Sequence, residues 1–206
     1  LGASTHEALQ AVAIEIVQQT LDALRGTDYR NVVNLPFIGD ASFRALRPHL
    51  TLAEKIGSLQ RQLAGGPAQS VQVETRGELT GLIKPLTVAL LKGLLGDNVN
   101  YINAPTVAAE RGVAVSQAKG LPLVGYPNLL SCRVAGPGGS RLIAGTLFAD
   151  EEARIVQIDD FRLDGLPVGR VLVMTNDDVP GVIGRVGTLL GANKINIAEW
   201  RLGRNQ

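Results

Sequence analysis

The sequence predicts an α+β chain, and three observations carry that reading. Apolar residues recur at helical spacing in two segments of the first third. Between Leu129 and Phe161 the texture changes to period-two runs broken by turn residues. The last compact stretch reads strand, helix, strand. Segregated helical and antiparallel runs of this kind belong to α+β architectures. Aromatic residues are only 4% of the 206, against 45% hydrophobic. The core must therefore be built of Leu, Val, Ile and Ala.

The elements follow in order. Thr5 to Leu24 is expected as a helix, with Ser4 or Thr5 as N-cap, Glu7 at capping-box spacing from Ser4, and a stripe of Val12, Ile16, Leu21 and Leu24. Asn31 to Ile38 is expected extended, because Pro36 excludes a helix interior. A second helix is expected from Thr51 to Ala64, with Thr51 and Glu54 at capping-box spacing and a stripe of Leu52, Ile56, Leu59 and Leu63. Gly65-Gly66-Pro67 ends it and marks a domain boundary. Ser70 to Glu74 alternates as a strand, and an apolar helix follows, starting near Ile83 because of Pro85 and reaching Leu95. Asn98 to Ala104 is expected as a short strand, and Thr106 to Arg111 as a helix.

Strands at Leu129–Val134 and Arg141–Phe148 are expected to form a hairpin across Gly136-Pro137-Gly138-Gly139, with a third strand at Arg154–Asp159. Gly165 to Gly169 reads as a linker. Arg170–Thr175 and Ile195–Leu202 are expected as strands flanking a helix from Gly181 to Leu190. The expected division is residues 1–64, 66–165 and 170–206, with the first part packed poorly against the rest.

Charge and composition exclude several classes. Lys plus Arg is 20 and Asp plus Glu is 19, and no basic block occurs, which argues against a nucleic-acid binder. Apolar runs such as Leu86 to Leu91 are too short to span a membrane. No export signal is evident, so a cytoplasmic protein is expected. The chain begins with Leu1 and stops just after an apolar strand signal, which suggests a fragment cut at both ends.

Metal and nucleophile chemistry has little support. His6 and His49 are the only histidines and lack companions at ligand spacing. Cys132 is the single cysteine, so no intrachain disulfide or Cys-rich metal site exists, and it reads as a small buried hydrophobe in a strand. No phosphate-binding glycine loop occurs, because no helix follows Gly136 to Gly139.

The sharpest signal is Asp177-Asp178-Val179-Pro180-Gly181-Val182-Ile183. A carboxylate just before a helix faces unpaired N–H groups, and Pro180 suits a first turn. Gly181, Gly184 and Gly187 recur every three residues and clear one helix face. Asn196 opens the next segment near the same edge. Capping and close packing need no ligand and are the favoured explanation of this pattern taken alone.

The run Asn176 to Ile183, followed by Leu189-Leu190-Gly191 and Asn196-Ile197-Ala198, resembles the first half of an ACT domain, a ferredoxin-like βαββαβ unit. Leu1-Gly2-Ala3-Ser4-Thr5, Val33-Asn34-Leu35-Pro36 and Leu52 to Gly57 resemble the end of the catalytic region in the D-3-phosphoglycerate dehydrogenase family. Val73 to Leu79, Ile102-Asn103-Ala104-Pro105 and Glu110 to Val113 resemble the intervening, allosteric-substrate-binding domain of that family's long form.

The resemblance implies a helical tail of the substrate domain, an intervening domain with antiparallel strands, and half an ACT domain. It implies an NAD-dependent oxidoreductase converting 3-phosphoglycerate to 3-phosphohydroxypyruvate, the first step of serine biosynthesis. The catalytic His, Arg and Glu and the dinucleotide domain would lie upstream, so no catalytic residue is assigned and the chain alone should be inactive. Leu1, Gly2 and Ala3 would line the nicotinamide end of the NAD site. Asn176, Asp178 and Asn196 would hold an amino-acid effector, serine, at a subunit interface. Arg154, and less directly Arg162, would bind an anion. A homo-oligomer, dimer or tetramer, is implied. Competing readings are a non-enzymatic amino-acid sensor, an oligomerisation module, or an L-serine dehydratase regulatory region. The last would need several cysteines.

Overall fold

Thr5 opens the first helix, α1 (His6–Leu24), and its Oγ1 accepts from the Ala8 N–H at 3.2 Å, satisfying a donor that has no partner inside the helix. The structure is a computed structural model and describes residues 5–25, 29–32, 43–121, 125–149, 151–177 and 179–203, leaving aside the side chain of Arg44. Leu1 to Ser4 and Val33 to Pro36 lie outside these. No residue of α1 is buried. Val12, Ile16, Leu21 and Leu24 are all exposed, as are Leu9, Ile14 and Val17. Their stripe meets no core among the described residues.

The second helix corrects the sequence reading. α2 runs Phe43–Leu63, eight residues earlier than expected, with Pro48 inside it. Thr51 and Glu54 therefore sit in its middle rather than at a cap. Leu46, Leu50, Leu52, Ala53 and Ile56 are buried in the main core. The expectation of poor packing fails here. α2 lies against α3 (Ile83–Leu95) and against the sheet. Its Gln60 is buried, and its Nε2 donates to the carbonyls of Cys132 at 2.8 Å and Arg141 at 3.1 Å. A buried amide must find such partners, and these two fix the helix on the sheet.

The sheet has six strands: β1 (Ser70–Arg76), β2 (Ala114–Gly120), β3 (Leu129–Gly136), β4 (Gly139–Phe148), β5 (Glu152–Ile158) and β6 (Phe161–Gly165). Their spatial order is β2-β1-β3-β4-β5-β6. Only β1 and β2 run parallel; the other neighbours are antiparallel. The parallel pair needs a crossover, supplied by a 3-10 turn (Gly77–Leu82), α3 and α4 (Ala104–Glu110). The Gly136-Pro137-Gly138-Gly139 hairpin forms as expected, with Gly136 opposite Gly139. Val71, Val73 and Thr75 alternate inward along β1 beneath the helices. The core is aliphatic, as composition requires.

Two expected features are absent among the described residues. Asn98 to Ala104 forms turns leading into α4, not a strand. Asn100 Oδ1 accepts from the N–H groups of Ile102 and Asn103, both at 2.9 Å, and Asn103 Oδ1 accepts from Asn100 N–H at 2.7 Å. Asparagine side chains here outcompete a ladder for the backbone. Nor are Arg170–Thr175 and Ile195–Leu202 strands; only the helix between them forms, α5 (Val182–Ala192). In a split βαβ unit the two strands leave a place between them for another, and an extended segment with no neighbour has no ladder to join. Val171, Leu172, Ile195 and Leu202 remain exposed.

Candidate functional site

The β5–β6 hairpin carries the residues expected to bind an anion. Arg154 on β5 is mostly covered, with its side chain 15% exposed. Its guanidinium pairs with Glu152 at 2.6 Å and Asp164 at 3.2 Å. It also lies over the Phe148 ring, 5.4 Å from the centroid, where a cation meets the negative face of the ring. Its Nε is buried without a hydrogen-bond partner among the described residues. Two carboxylates thus hold the Arg154 guanidinium, and Asp164 also interacts electrostatically with Arg201. Arg162 sits on β6 opposite Gln157, beyond a register shift after Ile155, and is exposed.

The expected effector residues are only partly visible. Asp178 lies outside the described residues. Asn176 and Asn196 are both exposed, and neither makes a side-chain hydrogen bond among the described residues. The N-cap of α5 is Gly181, at φ +91°, with no side-chain bond. A left-handed conformation there favours glycine, which gives Gly181 a role of its own in the turn. Leu1, Gly2 and Ala3 also lie outside the described residues, so the expected nicotinamide contact has no geometry here.

The described residues do not fit a dinucleotide. A groove of about 400 Å³ is walled by Val88, Leu91, Ala108 and Val113, with Lys84, Thr87 and Gln117 as its polar members, and no glycine-rich turn faces a helix N-terminus in it. No group of three His, Cys, Asp or Glu that could hold a metal ion occurs among the described residues. Nor is any described helix long and apolar enough to cross a membrane.

A cluster that the sequence reading missed joins α2, α3 and the loop after it. Glu54 pairs with Lys92 at 2.7 Å and accepts a hydrogen bond from the Tyr101 hydroxyl. Lys92 Nζ stands over the Tyr101 ring, 4.5 Å from its centroid. Burial, and then the bond to Glu54, push the Tyr101 phenol well above its ordinary range. Phe43 packs edge-on between Tyr101 and Tyr29, at 6.4 and 4.5 Å. Glu54 reads from sequence as a capping residue, so its partners at a distance of 38 and 47 residues had no local signal. This cluster is a clasp for the helix pair. Cys132 behaves as expected: it is buried on β3, and burial pushes its thiol up to about 12.

Comparison with known proteins agrees with this architecture. Residues 45–159 match the D-3-phosphoglycerate dehydrogenase intervening domain, a span that takes in all of α2 but its first two residues. A protein named D-3-phosphoglycerate dehydrogenase from Synechocystis sp. is 38% identical over 99% of this chain and 38% of its own length. Proteins of the same name from Archaeoglobus fulgidus and Bacillus subtilis are 39% and 36% identical, each over 100% of this chain and 40% of their own. The chain thus spans about two fifths of these curated relatives. It belongs to the D-3-phosphoglycerate dehydrogenase family, with the intervening domain of that family at residues 45–159.

Proposed function

We propose that this chain is the assembly and amino-acid-regulatory part of an NAD-dependent D-3-phosphoglycerate dehydrogenase acting in serine biosynthesis. The observation that carries this reading is the end-to-end match to relatives of that name, which covers only two fifths of their length. The hydride-transfer groups then belong to the remaining three fifths.

In this reading Leu1, Gly2 and Ala3 border the NAD site of the whole protein. Residues 170–206 are half of an ACT domain. Asn176, Asp178 and Asn196 hold an amino-acid effector, serine, with Asp178 pairing its ammonium group and Asn196 offering both donor and acceptor. The parent is a cytoplasmic homo-oligomer.

The test uses the whole protein and this chain side by side. The 206-residue chain should show no NAD-dependent oxidation of 3-phosphoglycerate, whereas the whole protein should turn over. Asp178→Ala in the whole protein should weaken serine binding by roughly tenfold to a hundredfold, the cost of a charge-assisted bond, with basal turnover unchanged. An intact serine response in that variant removes Asp178 from the site. Turnover by the isolated chain would overturn the reading as a whole.

A further inference from the structure

α3 and β2 face each other across a groove that neither fills. α3 carries no acidic residue in its first turn and presents Lys84, Thr87, Val88 and Leu91 at spacings of three and four, which is one face of a helix. β2 stands on the other side. Val115 and Gln117 pair in register with Val71 and Val73 of β1, so they share the face beneath the helices. Val71 and Val73 are buried there, whereas Val115 is 40% exposed. α4 closes the third side with Pro105, Ala108 and Ala109. The space of about 400 Å³ falls within the about 300–1,000 Å³ of small-molecule sites.

The polar groups of the groove divide into used and unused. Gln117 Nε2 donates to Thr87 Oγ1 at 2.8 Å, and that hydroxyl donates to the Ile83 carbonyl at 2.7 Å. Lys84 makes no ion pair or hydrogen bond among the described residues, and no carboxylate lines the groove. The two ends also differ. Arg111, just before β2, donates to the Leu95 carbonyl at the end of α3, at 2.9 Å, so α3 runs against β2. Lys84, one turn before Thr87, therefore lies towards the end of β2 that carries Lys119. Lys119 is two residues beyond Gln117 on the same face, and it too has no ion pair among the described residues. Val88, Leu91, Val113 and Val115 lie towards the other end.

We propose that this groove binds a straight-chain aliphatic carboxylate. Its head sits at the Lys84 ammonium, with Lys119 adding positive charge at the same end, and its chain runs along Val88, Leu91, Val113 and Val115. Charge at one end and apolar wall along the rest select a small anion with an apolar body. A phosphorylated hydroxy acid fits poorly, because its hydroxyl and phosphate oxygens would meet valine and leucine side chains that offer no hydrogen bond. No aromatic side chain lines the groove to stack on a ring, and the Thr87 hydroxyl is already engaged. The lysines are left as the polar contact and the aliphatic wall as the rest of the site.

Titration calorimetry of the 206-residue chain with hexanoate, octanoate and octanol tests this. Octanoate should bind more tightly than hexanoate, by up to about fourfold for each added methylene. Lys84→Gln should weaken octanoate about two- to fivefold and leave octanol unchanged, and high salt should erase the difference. Val115→Asp, at an exposed position on the wall, should weaken both ligands. Lys194→Gln, after α5, should weaken neither. A misfolded Lys84→Gln chain would lose octanol as well, so the pair of ligands separates loss of the head contact from loss of the fold. Equal affinity for hexanoate and octanoate, or octanoate binding indifferent to Lys84→Gln, would each overturn the proposal. So would binding untouched by Val115→Asp, the result expected if the ligand adsorbs instead to the exposed apolar stripe of α1.

Discussion

Gly93 of α3 lies so close to Glu54 of α2 that a methyl group on Gly93 would stand 2.1 Å from the Glu54 carbonyl oxygen. The relation is reciprocal. A methyl group on Gly57 would stand 2.1 Å from the Leu90 carbonyl. The two helices meet backbone to backbone at these points, and the clasp of Glu54, Lys92 and Tyr101 sits beside them. Small residues set the approach, and the charged cluster closes it.

Gly93→Ala should therefore push the helices apart. The obstacle is backbone and cannot swing away, so overpacking should cost about 1–3 kcal/mol or more, read as a lower urea midpoint. Gly184→Ala is the contrast. Nothing lies within 4 Å of the added methyl, and alanine in an exposed helix gains about 0.5–1 kcal/mol over glycine. Hydrogen exchange in α5 should slow. Equal losses from both substitutions would show that helix contact is not what Gly93 serves.

The clasp gives a second expectation. Glu54→Gln weakens the pairing with Lys92 and the bond from Tyr101. Both charged side chains are about a third exposed, so solvent screening limits the loss to about 1–2 kcal/mol. Tyr101→Phe should cost a similar amount. A double-mutant cycle should find the two losses strongly coupled; additive losses would separate the tyrosine from the carboxylate.

These contacts show what the sequence made legible. The aliphatic core, the β3–β4 hairpin, α3 from Ile83 and the inward valines of β1 all follow from local pattern. α2 was misplaced because Thr51 and Glu54 have capping-box spacing, yet Glu54 serves partners from elsewhere in the chain. β2 was missed because Ala-Val-Ser-Gln-Ala-Lys-Gly carries little apolar alternation, as suits an edge strand that buries nothing. Val171 to Met174 read as a strand on apolar content alone. Content does not supply the neighbour a ladder requires. For the candidate site, Arg154 enters through the family resemblance alone, and no local pattern points to its carboxylate partners Glu152 and Asp164.

Cys132 supplies a pH test. Its folded thiol titrates at about 12, against about 8.5 when unfolded. Below the unfolded value both states hold the proton, and the stability is fully present. Between about 8.5 and 12 the unfolded state loses the proton first, so stability falls as pH rises, by up to about 1.4 kcal/mol per unit. Cys132→Ala should remove that part of the alkaline slope. The native thiol should also resist Ellman's reagent until the chain unfolds. Rapid labelling of native protein would contradict the burial.

Arg154 yields the last expectation. Held by Glu152 and Asp164, it can bind a phosphate ester only if a carboxylate gives way, because both carboxylates already occupy its guanidinium. Asp164→Asn removes one competitor while keeping the side chain's size. If Arg154 is the anion-binding residue, this substitution should tighten binding of inorganic phosphate or 3-phosphoglycerate several-fold by titration calorimetry. The effect should shrink in high salt. Arg154→Ala leaves two carboxylates without their cation and should cost about 1–3 kcal/mol of stability, so Arg154→Lys is the better probe of binding. It keeps the charge but loses the forked geometry that two oxygens of a phosphate ester require. Weaker binding in Arg154→Lys, together with tighter binding in Asp164→Asn, assigns the site to this guanidinium. No change in either variant leaves Arg154 as the internal brace of the β5–β6 hairpin.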